Sequence, residues 1–155
     1  MYTFFSITPE TFNNGFSNNS IEVDVIDINS YDKLKPSNLF SRGDMNWNSF
    51  DSNIGFRLNS NGCEYGAWMS NVVYPNNIPH ILKRNRYGIS TVFFEDNYSG
   101  IDMQRLMSFI VAYSFNELKI SKLLIWITDK THDVIVRSII NTGWVVDKWY
   151  THCDL

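Results

Sequence analysis

The sequence predicts a mixed α+β domain: an α/β layer on a central mixed sheet, in which an N-terminal antiparallel meander leads into a β-α-β-α-β succession. Three observations predict it. Strand-like alternation dominates as far as Glu95, a helical period of about 3.6 takes over after Gly100, and the later helical stretches alternate with short apolar runs. The chain has 155 residues, the size of one domain, with residues 1–53 as an irregular N-terminal part and 54–155 as the core. Hydrophobic residues make up 44% and charged residues 19%, which excludes a disordered tail and provides for a filled core.

The elements follow in order. Met1–Thr8 reads as a short strand, and Thr8-Pro9-Glu10-Thr11 as a short helix with Thr8 as N-cap and Pro9 at its first position. Residues 13–20 (NNGFSNNS) are turn material. In Ile21–Ile28 the apolar Ile21, Val23 and Val25 alternate with Glu22 and Asp24, the pattern of a strand with one buried face. Residues 29–53 have no clear period and read as loop and short helical turns. Ile54–Leu58 and Cys63–Val73 form a hairpin about Asn59-Ser60-Asn61-Gly62, whose Asn-Gly pair accepts positive φ. Tyr87–Glu95, rich in β-branched and aromatic residues, is the central strand.

Beyond Gly100, Met103, Leu106, Met107, Ile110, Val111, Ser114 and Leu118 mark one stripe of a helix over 101–118. Leu123–Ile127 is a continuous apolar run, expected of a strand buried on both faces. Asp133–Asn141 is a helix with Val134, Ile135, Ser138 and Ile139 in register, closed by Gly143. Trp144–Cys153 is the last strand, and the final units are expected to be parallel.

Charge and composition narrow the function classes. A net charge of −3 offers no general grip on nucleic acid. The cluster Lys83, Arg84 and Arg86 is read as a solvated loop, with an acidic partner or a ribose phosphate as its alternative. Two cysteines, Cys63 and Cys153, make no disulfide framework, and no secretion signal is readable, so a reducing cytoplasmic setting is expected. No run approaches the ~18 apolar residues of a membrane span. His80, His132 and His152 have no ligand-like spacing, so no metal is expected. Abundant Asn and Ser, with Ala only at Ala67 and Ala112, fit an AT-rich bacterial genome or one of its viruses.

Over residues 87–149 the layout resembles the GNAT (Gcn5-related N-acetyltransferase) superfamily: a central strand, a glycine opening a long helix, a buried strand, a short helix and a Gly-aromatic pair. Against the family's Q/R-x-x-G-x-G/A loop the chain has Asn97-Tyr98-Ser99-Gly100-Ile101-Asp102, and its closing pair is Gly143-Trp144. The resemblance implies an acyl-CoA-dependent N-acetyltransferase, with acetyl-CoA as cofactor and an amine as the second substrate. The implied cofactor contacts are Asn97, Ser99, Gly100 and Ile101 for the diphosphate and Val92, Phe93 and Phe94 for the pantetheine arm. The physics agrees: a helix N-terminus attracts anions, and a glycine there admits close backbone approach.

The departures are Asn97 in place of a cation or amide, Asp102 in place of a small residue, and His132 and Ile139 in place of the family's Asn and Tyr. A carboxylate at Asp102 is expected to repel a diphosphate. An amine with a pKa near 10.4 must lose a proton before attack, and Glu95 and Asp96 are the first base candidates, with Glu64 second. Tyr98 and Tyr113 are the candidate acids for the departing thiolate. The degraded motifs support an alternative: a catalytically inactive GNAT-fold structural or interaction protein, such as a phage internal virion component or a host-directed factor, whose partner is a protein.

Overall fold

Asn61 and Gly62 both take positive φ, 52° and 78°, the left-handed pair that a two-residue hairpin requires. Here, in a computed structural model, they join β3 (Ile54–Ser60) to β4 (Cys63–Asn71). The structure describes residues 3–13, 21–27, 54–71, 87–127 and 129–147. The strands therefore run closer to the turn than the expected Asn59–Gly62 connection.

Before the hairpin come β1 (Thr3–Ile7) and β2 (Val23–Asp27); after it come β5 (Tyr87–Phe94), α1 (Gly100–Asn116), β6 (Leu123–Ile127), α2 (Asp133–Thr142) and β7 (Val145–Val146). Thr8–Thr11 is a single turn rather than the expected helix. The Thr11 and Phe12 amides both donate to the Thr8 carbonyl, and the Thr11 Oγ1 accepts from the Thr8 amide, so the side chain closes the turn instead of starting a helix.

Among the described residues the fold is α+β, with a seven-stranded mixed sheet in the order β2-β3-β4-β5-β6-β1-β7. The meander β2-β3-β4-β5 is antiparallel and β5-β6 is parallel. One expectation needs correction. β1 is not part of the meander: it crosses the molecule and inserts antiparallel between β6 and β7, pairing Thr3–Ile7 with residues 127–123 and Phe5-Ser6 with Val146-Val145. The last strand consequently pairs with the first one and not with β6. The segments 28–53 and 148–155, with the basic cluster 83–86, lie outside the described residues.

The core forms where one face of the sheet meets α1. Phe56, Leu58, Tyr65, Ala67, Met69 and Ile89 from the strands pack with Met103, Leu106, Met107, Ile110 and Val111 from the helix. Phe56 lies edge-on to Phe109 and Tyr113, at 6.4 and 5.7 Å between centroids. Each fully buried apolar side chain of this kind contributes about 1.5–3 kcal/mol. Strand alternation sends Phe4, Trp68, Phe93 and Leu124 to the opposite face, where they are buried outside this cluster. α2 packs beside α1, ending at Gly143 in the left-handed conformation with φ 103°.

Candidate functional site

The central strand changes partners part-way along. Its pairing with β4 skips Ser90, since Ile89 faces Met69 and Thr91 faces Trp68, and a one-residue bulge bends a strand. Pairing with β6 covers only Tyr87–Ile89 against Leu123–Ile125. Beyond that point β5 stays with β4 as far as Phe94, while β6 stays with β1 as far as Ile127. The two parallel strands part, and the backbone groups of Val92 and Phe94 that face the β6 side are left without a strand partner among the described residues.

The parted end of β5 leads into a turn, in which the Tyr98 amide donates to the Glu95 carbonyl, and then into α1. Ser99 is the N-cap, its Oγ accepting from the Asp102 amide at 3.5 Å. The Ser99 amide itself donates to the hydroxyl oxygen of Tyr65 on β4 at 2.6 Å. Of the four amides that a helix start leaves unpaired, those of Gly100 and Ile101 remain without a protein partner among the described residues. Gly100 is exposed, and a Cβ there would meet nothing within 4 Å. Ile101 is 60% exposed beside them.

A cleft of about 760 Å³ opens at this point between the starts of α1 and α2. Tyr98, Ser99, Gly100 and Ile101 line one side, His132, Arg137 and Asn141 the other. Asp102 is not among the lining residues: it is buried, with Arg105 at 3.5 Å, so its carboxylate sits beneath the helix start rather than facing a bound anion. Burial pushes the Tyr65 phenol up to about 12, against the opposing pull of the Ser99 amide, and the neighbouring Cys63 and Asp102 add to the rise.

The floor of the cleft is polar. Gln104, only 4% exposed, donates through Nε2 to Thr142 Oγ1 at 2.6 Å and to Ser108 Oγ at 3.5 Å. Thr142 in turn donates to the Ser138 carbonyl at 2.6 Å, so its hydroxyl must accept from Gln104, and this fixes which way the amide faces. The Oε1 of Gln104 is left buried with no partner in the described structure.

The other site residues divide by face and by engagement. Phe94, Tyr98 and His132 form an edge-on trio, 4.9, 5.0 and 5.4 Å between centroids, spanning the gap from the end of β5 to the start of α2. His132 is also the N-cap of α2: its Nδ1 accepts from the Val134 amide at 3.1 Å. The position that departs from the family's Asn therefore has a capping role. Phe93 points to the opposite face of the sheet and is buried, and its backbone faces Gly66 of β4, so the expected cofactor contact at Phe93 is not offered at the freed edge, which leaves Val92 and Phe94.

Among the candidate bases, Glu95 is exposed, and its Oε1 accepts from the Glu64 amide at 2.7 Å. Glu64 is held by Arg57 Nε at 2.8 Å. Asp96 and Asn97 are exposed in the turn. Tyr113 packs on Phe56 and Phe109 in the core, far along α1 from its start, which removes it as an acid. Ile139 is fully buried in the core and lines no part of the cleft. The buried Cys63 lies in a strand beside Tyr65 and is not part of the cleft.

Sequence reasoning missed Tyr65, Gln104 and Arg137 as parts of the site. Gln104 carried a signal, a long polar side chain beside the apolar stripe, which marks a second buried flank on α1. Tyr65 carried none, since its partner lies 34 positions away.

No protein-family model matches the sequence, and no curated protein matches it. Among solved structures the chain is similar to a functionally unknown conserved protein from Staphylococcus epidermidis, with a TM-score of 0.52 and 13% identity over 94% of this chain and 57% of that one. That likeness shows the fold alone. The chain spans a little over half of that neighbour's length. No helix of the described residues is long and apolar enough to cross a membrane.

Proposed function

We propose that this chain is a GNAT-like acyl-CoA-dependent N-acetyltransferase. The observation that carries the reading is the parting of β5 from β6 after Ile89, on the strand whose end leads through one turn to the two unpaired amides at the start of α1. The diphosphate of acetyl-CoA rests on the amides of Gly100 and Ile101, where the helix supplies a partial positive charge, with Arg137 across the cleft as the cation. The arm follows the freed edge at Val92 and Phe94. The bound thioester supplies the activated acetyl carbonyl, and an unpaired strand amide at that edge polarises its oxygen.

The amine approaches from the β3–β4 hairpin, where Glu95 takes its proton directly or through water. The Tyr98 hydroxyl, beside the cleft, returns a proton to the sulfur. Titration calorimetry with acetyl-CoA tests the reading. Binding with a heat signal is expected, and no heat at millimolar ligand overturns it.

A second reading has specific support. The Glu95 carboxylate already accepts a strand amide, and Tyr98 already packs with Phe94 and His132, so both candidate catalytic groups have structural work. Such engagement favours a ligand-binding or interaction protein without turnover. Acetyl-CoA binding in the absence of any amine-dependent thiol release supports this second reading and overturns the first.

A further inference from the structure

Gln104 is a polar side chain that the fold has buried without completing its hydrogen bonds. Both Nε2 protons are committed, to Thr142 and Ser108, while Oε1 has no partner although the residue lines the cleft. A buried acceptor without a donor is costly, and well-packed proteins retain one where a ligand or an ordered water completes it. The same cleft holds two unpaired amides, on Gly100 and Ile101, one turn earlier on α1. The protein thus has two donors at the helix start and, one turn on, in a side chain that lines the same cleft, a buried acceptor with no surface of its own open to solvent.

We propose that Gln104 is the specificity-determining residue of the cleft: its Oε1 accepts a hydrogen bond from an N–H or O–H of the ligand close to the anionic group held by Gly100 and Ile101. The chemical class selected is a phosphate ester whose arm bears a hydroxyl or amide donor near the phosphate, in preference to a bare phosphate. The inference rests on the anion-binding reading of the cleft and adds the group that is recognised beside the anion.

The test is an NMR titration of the whole chain, read at the Gly100 amide, with coenzyme A and inorganic pyrophosphate as separate probes. Gln104→Met keeps the length of the side chain and removes the acceptor. It is expected to weaken coenzyme A by about five- to tenfold and leave pyrophosphate unchanged. Gln104→Glu restores an oxygen at that point, so the ratio of the two affinities returns toward that of the natural chain even if added charge weakens both. An equal loss for both probes in Gln104→Met, or no loss for either, overturns the inference while the proposed function stands. If neither probe moves the Gly100 amide of the natural chain, both fall.

Discussion

The backbone amide of Ser99 donates to the phenolic oxygen of Tyr65, a side chain with no exposed surface. This bond pins the start of α1 to the sheet and so fixes where Gly100 and Ile101 present their amides. Tyr65→Phe leaves a part-buried amide unpaired, and an expected loss of about 1 kcal/mol is measurable by urea unfolding. The burial of that phenol also sets an alkaline limit. The Tyr65 phenol titrates near 12 in the folded chain against 10.0 for a free tyrosine, so the folded state holds its proton more tightly. Stability from this group is complete below pH 10 and falls as pH rises through about 12. Tyr65→Phe is expected to remove that alkaline decline from the unfolding profile.

Gly100 separates binding from folding. A Cβ there meets nothing within 4 Å, so Gly100→Ala is expected to leave thermal stability unchanged or raise it by about 0.4–1 kcal/mol. The added methyl stands at the approach to the Gly100 and Ile101 amides. Weaker acetyl-CoA binding by calorimetry, with a melting temperature equal to or above that of the natural chain, is the expected pair of results.

Glu95→Gln distinguishes a base from a strand-end fastener. Glutamine keeps an Oε1 to accept from the Glu64 amide, so the fold is expected to hold. As the base, Glu95 contributes about 10²–10⁴ to the rate, and the variant loses that factor in thiol-release assays while binding acetyl-CoA normally.

Gly143 has a purely architectural role. Its φ of 103° disfavours any side chain, and a Cβ would overlap the Thr11 carbonyl and lie 3.0 Å from the Asn13 amide nitrogen. That amide donates to the Thr142 carbonyl at 2.8 Å, tying the segment after β1 to the end of α2. Gly143→Ala is expected to cost more than about 2 kcal/mol, read as a lowered midpoint in thermal unfolding.

The elements legible in the sequence were those set by local period and turn chemistry. The Asn61-Gly62 hairpin, the β6 run and the α1 stripe follow from residues near one another, and α1 lies within two residues of its expected bounds. The start of α1 and the strand before it were also located, because glycine and the change of period mark them. What could not be read locally was the pairing of distant chain. The place of β1 depends on register with residues 123–127, and the Tyr65–Ser99 bond on a strand and a helix start being brought together. The role of His132 was hidden for another reason: histidine is an uncommon cap, and only geometry shows its Nδ1 accepting from Val134.

The insertion of β1 has a consequence for how the molecule is made. Strand β1 precedes both of its neighbours, β6 and β7, by more than a hundred residues of chain. It must wait with two open edges while β2 to β5 assemble from nearer stretches, and such delayed pairing slows folding and exposes edges to aggregation. Docking of β1 is therefore a long-range closure, and the sheet keeps open edges until β6 and β7 are in place.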